Sequence, residues 1–160
     1  MAVSPAARSR LETQGFVGLD DDSLSEVEPW LRFTPGLCTA LIVVGTALAL
    51  PVMLWVIAAI ALVGAVFPVH PFDLLYNYGI RNLTGTRPLP QNGPPRRFAC
   101  GMASVWLLAT GIAFQAEVDA LGYVLGGVLA GVASVVALTH FCVPSTIYCA
   151  IFGRPRAGAA

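Results

Sequence analysis

The chain has 160 residues, 56% of them hydrophobic, and carries only nine acids and nine bases, so its formal net charge is zero. A charged share of 11% is about half that of an ordinary soluble domain. These figures exclude a disordered chain, a collagen-like chain and a basic nucleic-acid binder, and they point to a membrane.

Half of the charges fall early, between Arg8 and Arg32. Residues 1–30 include the acidic run Asp20, Asp21, Asp22, and their arginines are not followed by the apolar core that a secretory signal requires. They read as a disordered acidic tail on the cytoplasmic side. Beyond them, residues 33–72, 98–116 and 120–153 contain no charge at all. About 20 helical residues cross a hydrocarbon core roughly 30 Å thick, so each stretch is long enough to span. The first is long enough to span twice, and Pro51 near its middle marks a tight turn.

Four spans result, over 31–50, 52–67, 98–114 and 121–141, within a membrane domain covering 31–153. Trp30 and Trp55 are placed to anchor opposite interfaces. Between the second and third spans runs a cytoplasmic loop, 69–97. In it Phe72, Leu75, Tyr76, Ile80 and Leu83 recur at helical spacing, with Asp73, Asn77 and Arg81 on other faces. This is the pattern of a short amphipathic interfacial helix, with Pro71 suited to its first turn. The proline-rich stretch 85–95 then forms a stiff linker or an extended docking epitope. Residues 154–160 form a short cytoplasmic tail.

The fold class is therefore all-α, a polytopic membrane protein of four transmembrane helices arranged as two helical hairpins. With four spans, every arginine of the chain lies on one side: Arg8, Arg10, Arg32, Arg81, Arg87, Arg96, Arg97, Arg154 and Arg156. The positive-inside rule puts that side, and both termini, in the cytoplasm, which makes this a multi-pass protein of the cytoplasmic membrane. An internal repeat is suggested by Arg32 and Phe33 opening the first span as Arg97 and Phe98 open the third. His70 with Pro71 and His140 with Pro144 close the second and fourth. A duplicated hairpin would have its halves related by an axis along the membrane normal.

The fourth span carries Gly122, Gly126, Gly127 and Gly131. Such small-residue ridges let helix backbones approach closely, either inside the bundle or between copies in a homo-oligomer. No nucleotide loop, zinc-protease motif or nucleophile elbow is present, and no acid or base sits mid-span. An enzyme is not the favoured reading. The residues that could carry chemistry are the thiol candidate Cys142, then Cys149, Cys100 and Cys38, with His70 and His140 as bases or as ligands for a metal or haem. The plain alternative is that the cysteines fill a tightly packed bundle and the histidines sit at the interface.

The segment Arg96, Arg97, Phe98, Ala99, Cys100, Gly101, followed by an apolar hairpin and Phe141, Cys142, Val143, Pro144, Ser145, Thr146, Ile147, Tyr148, resembles the bacterial integral membrane proteins of domain-of-unknown-function family 4395. The resemblance runs over roughly 31–152 and implies four spans in a bacterial inner membrane. Family members pair two cysteines, as Phe-Cys-x-x-Cys-x-x-Tyr, which implies thiol or sulfur chemistry. Here Ser145 stands at the second position and cannot close that disulfide, so a single-thiol mechanism through Cys142, or no thiol mechanism at all, survives.

Three functions follow from these residues. The first is a non-enzymatic scaffold or accessory subunit that presents loop 72–97 and the acidic tail to a protein partner. The second is a thiol-redox or sulfur-handling membrane protein using Cys142. The third is an oligomeric small-solute channel or carrier. Beyond the lipid bilayer, no nucleic-acid partner is expected.

Overall fold

The structure, a computed structural model, describes residues 3–155. Residues 1–2 and 156–160, which include Arg156 and most of the expected C-terminal tail, lie outside the described residues. All regular structure among the described residues is helical.

The N-terminal segment is folded, contrary to the expectation of a disordered tail. Helix α1 (Pro5–Thr13) starts at Ser4, whose hydroxyl accepts from the Ala7 amide. Helix α2 (Asp21–Val27) starts at Asp20, whose carboxylate accepts from the Ser23 amide. The acidic run is thus a helix N-terminus, where Asp21 and Asp22 complement the macrodipole. Leu11, Phe16, Leu24 and Val27 are buried in one cluster with Leu31, Tyr76 and Leu89. The apolar residues of the tail are too sparse to fold alone, and they are ordered by the loop that lies 60 residues further on.

After a 3-10 turn, Trp30–Arg32, the chain enters α3 (Phe33–Ala47), then α4 (Pro51–Val66). A short helical segment follows, α5 (Pro71–Leu75), a π-helical turn (Tyr76–Ile80) and α6 (Arg81–Thr84), bent 86° from α4. This is the amphipathic element expected between the hairpins. Its start is a capping box: His70 Nδ1 accepts from the Phe72 amide and the Asp73 carboxylate accepts from the His70 amide. Helix α7 (Pro94–Gln115) begins four residues before the expected third span, with prolines in its first turn. Helices α8 (Asp119–Thr139) and α9 (Val143–Phe152) complete the chain.

Three elements are long and apolar enough to cross a membrane: Trp30–Ala47, α7 and α8. A fourth is reached if α4 and its bent continuation count as one span. Alone, α4 has 16 residues and rises about 24 Å, less than a typical hydrocarbon core.

The helices pair across hairpins: α4 packs along α7, and α3 along α8, more closely than α3 on α4. Both hairpin turns close in the same way. The Leu50 amide donates to the Gly45 carbonyl and the Val118 amide to the Ala113 carbonyl, with Ala49 and Glu117 left-handed between them. The arginines at the span entrances also act alike. Arg97 donates to the carbonyls of Ala65 and Val66 at the end of α4, and Arg32 to that of Leu138 at the end of α8. Each guanidinium thereby satisfies orphan carbonyls of the opposite hairpin.

The small-residue ridges of α8 divide. A Cβ on Gly126 would meet the Thr46 side chain, and one on Gly122 would lie 2.6 Å from the Phe114 ring, so these two glycines bring α8 against its neighbours. Gly127 and Gly131 face open space. Trp55 departs from the interfacial role expected of it, because its ring packs against Gly111 and its buried Nε1 has no partner among the described residues.

Candidate functional site

Where α3 and α7 begin and α8 ends, the bundle lines a partly open cavity of about 410 Å³. Three of the four cysteines reach its wall: Cys38 from α3, Cys100 from the second turn of α7, and Cys142 from the residue preceding α9. All are free thiols. Their convergence follows from the cross-hairpin packing, which sets the N-terminal turns of α3, α7 and α9 around one space. Gln14, Thr34, His70 and Arg96 supply the polar groups at that end, among Pro35, Ala99 and Pro144, whereas the deeper wall is wholly apolar, with Ile42, Val128, Leu129, Val132 and Val136.

Cys149 is elsewhere. Pro144 falls within the first turn of α9, so Cys142 lies before the helix and Cys149 on its far side, where its Sγ donates to the Thr13 carbonyl. Ser145, at the position of the second cysteine in the resembling family, is fully buried and its hydroxyl donates to the Pro95 carbonyl. It ties α9 to the start of α7 and carries no sulfur chemistry.

The two histidines do not meet at one site. His70 lines the cavity and its ring packs against Gly64. His140 terminates α8 in the left-handed region, and its Nε2 lies 2.7 Å from Glu28 Oε1 and 3.0 Å from Arg32 Nε. One nitrogen cannot donate to the carboxylate and accept from the guanidinium at once. The shorter contact to an acceptor-only group makes Nε2 the donor, with Arg32 bonded to Glu28 through Nη2 at 2.8 Å. Among the described residues no group of three His, Cys, Asp or Glu side chains is arranged to hold a metal ion. His70 faces the cavity while the His140 Nε2 is taken up by Glu28.

Two residues that sequence reasoning missed dominate the electrostatics. Asp73 and Arg96 are both buried, with Arg96 Nη2 3.6 Å from Asp73 Oδ1. The carboxylate also accepts from the Thr34 hydroxyl at 2.6 Å, from Asn92 Nδ2 at 3.1 Å and from the His70 amide. As sequence, Asp73 belonged to the polar face of a surface helix and Arg96 to a run of topogenic charges. The legible signal was the Arg96–Arg97 pair. Successive helical residues point about 100° apart, so one of two adjacent arginines at a bundle-facing helix start has to turn inward.

The N-terminal segment lies over the polar end. Gln14 Nε2 donates to the His140 carbonyl at 2.6 Å, Arg10 to that of Thr139 at 2.9 Å, and the backbones of Gly15 and Gly93 touch. A Cβ on Gly93 would come within 2.7 Å of Gly15 Cα, so only glycine permits this approach.

Burial pushes the His70 imidazole down to about 4, against the pull of Asp73, with Arg96 lowering it further. Burial also lowers His140, partly offset by the hydrogen bond to Glu28. For Glu28, burial raises the carboxyl, but the bonds from Arg32 and His140 outweigh it and the net shift is downward. A histidine whose folded value is depressed takes up its proton in the unfolded chain first. Folding stability is therefore expected to fall as pH drops from about 6.5 towards 4, by on the order of 3 kcal/mol from His70. His140 and Glu28 act in the same direction. Unfolding midpoints in detergent between pH 7.5 and 4.5 test this, and His70→Gln is expected to flatten the slope.

A second void, an outward groove of about 930 Å³, is lined by Leu62, Ala65, Arg97, Phe98, Val105 and their neighbours. Met102 and Trp106 border both voids.

No curated protein and no solved structure matches this chain. The family described as Domain of unknown function (DUF4395) matches residues 28–152, from the end of α2 to the end of α9, and thus takes in the whole helical bundle. The covered part contains all three cavity cysteines, Asp73 and Arg96, while α1 and α2 precede it. The chain belongs to the DUF4395 family.

Proposed function

We propose that this protein is a thiol-dependent, sulfur-handling protein of the bacterial cytoplasmic membrane, which takes a small solute into the cavity with Cys142 as its reacting thiol. The observation that carries this reading is the convergence of Cys38, Cys100 and Cys142 on one cavity. Cysteines used only as packing filler have no reason to gather around a void. The scaffold reading is less well supported, because much of the N-terminal segment is engaged with the loop that it would present to a partner. Glu26 pairs with Arg87, and Leu89 is buried with Leu11 and Leu24.

The arginine distribution supports four spans with both termini in the cytoplasm. The matched hairpin turns, the cross-hairpin pairing and the reciprocal caps made by Arg32 and Arg97 support a duplicated hairpin. Homo-oligomerisation, if it occurs, has Gly127 and Gly131 as its free ridge.

The test is alkylation of the four cysteines in intact cells and in inverted vesicles, before and after mild peroxide, read by mass spectrometry. Cys142 is expected to be labelled from the cytoplasmic face and to lose that labelling on oxidation. Four cysteines that stay inert until the protein is unfolded would refute the thiol reading.

A further inference from the structure

Arg96 is 8% exposed, and a guanidinium brings five donors with it. Among the described residues its side chain makes no hydrogen bond. Its two recorded interactions are the 3.6 Å approach to Asp73 and a position 5.1 Å from the centre of the Phe16 ring. Asp73 does not depend on it, because that carboxylate is already served by Thr34, Asn92 and the His70 amide. The neighbouring Arg97 spends its donors on two carbonyls, and Arg32 spends its own on Leu138 and Glu28. Arg96 alone of the three makes no hydrogen bond among the described residues, and it stands at the wall of the cavity. A guanidinium at a cavity wall with no hydrogen-bonded partner favours an acceptor that enters the cavity.

The rest of the wall shapes the acceptor. Gln14 and Thr34 flank Arg96 at the polar end, while Ile42, Val128 and Val132 line the depth. We propose that the cavity binds a small organic monoanion with an apolar body, its oxyanion head seated on Arg96 and its body among the aliphatic side chains of α3 and α8. A cavity of about 410 Å³ is at the small end of ligand pockets. Asp73 already offsets the charge of the guanidinium, so every added negative charge is repelled and a dianion is disfavoured more than a monoanion. Such an amphiphile reaches the site either from water or from the bilayer, where Met102 and Trp106 separate the cavity from the outward groove. This site shares the cavity of the thiol reading but uses none of its sulfur chemistry.

The test uses native mass spectrometry of the full chain released from zwitterionic nanodiscs, with decanoate, 1-decanol or phosphatidylglycerol added. Wild type and Cys142→Ser are expected to prefer decanoate over 1-decanol by tenfold or more, in line with charge-assisted hydrogen bonding. Arg96→Gln is expected to abolish that preference, and Arg96→Lys, which keeps the charge without the fork, to reduce it. Stoichiometric phosphatidylglycerol that depends on Arg96, without decanoate, would support the anion site and identify its source as a lipid headgroup. Equal binding of decanoate and decanol by the wild type, with no Arg96-dependent phosphatidylglycerol, would overturn the proposal, and that comparison needs no variant to fold. A preference retained in Arg96→Gln would overturn it too. Loss of binding in Cys142→Ser alone would contradict the independence of the anion site from the thiol.

Discussion

Asp73→Ala is expected to destabilise the protein by about 3–5 kcal/mol, the cost of removing one partner from a buried ion pair. The substitution leaves the Arg96 guanidinium buried without a counter-charge. It also strands the Thr34 hydroxyl and the Asn92 amide, and it removes half of the capping box that starts α5. Asp73→Asn should cost less, because the amide oxygen still accepts from Thr34 while the charge is lost. Unfolding in mixed detergent micelles gives both values. The site can be told from the fold by a double variant: Asp73→Ala with Arg96→Met removes both charges and is expected to recover much of the loss.

The second large effect is expected at Tyr76, whose replacement by alanine should cost about 3–5 kcal/mol. Tyr76 is wholly buried at the junction of the N-terminal segment, α3 and the interhairpin helix. Its ring lies 5.0 Å from that of Trp30 and 6.2 Å from that of Phe33, and its hydroxyl bonds Thr86. The void left by the ring would undo the cluster that holds Leu11, Phe16 and Leu24. Hydrogen exchange should report this as lost protection in 5–27 well before α7 or α8 loses any. Equal loss of protection throughout would mean that the segment and the bundle form one cooperative unit.

The spans were legible because their signal is local. A charge-free run of 20 or more residues needs no partner to be recognised, and α7 and α8 fall within a few residues of the expected limits. Pro51 marked the first hairpin turn for the same reason, since it sits at the first position of α4. The N-terminal segment was misread because its acidic run has two meanings. Asp20, Asp21 and Asp22 suit a solvated tail and a capped helix equally well, and only the burial of Leu24 and Val27 against Leu89 selects the helix. The cysteines were named as candidates, but residues 38, 100 and 142 carry no spacing that ties them together.

By itself the sequence determined that this chain is helical, that its apolar segments suit a membrane, and that Ser145 cannot form a disulfide with Cys142. Each depends on composition or on neighbours within a helical turn or two. Tertiary structure decided what gathers at the polar end of the cavity: three thiols from α3, α7 and the start of α9, Arg96 without a hydrogen bond among the described residues, and Gln14 from a segment outside the family's matched range. It also decided that His140 belongs to Glu28 and Arg32 while His70 faces the cavity. The physical reason is the cross-hairpin pairing of α3 with α8 and α4 with α7. Contacts made between residues far apart in the chain are set by which helix faces which, and periodicity along one helix carries no record of that choice.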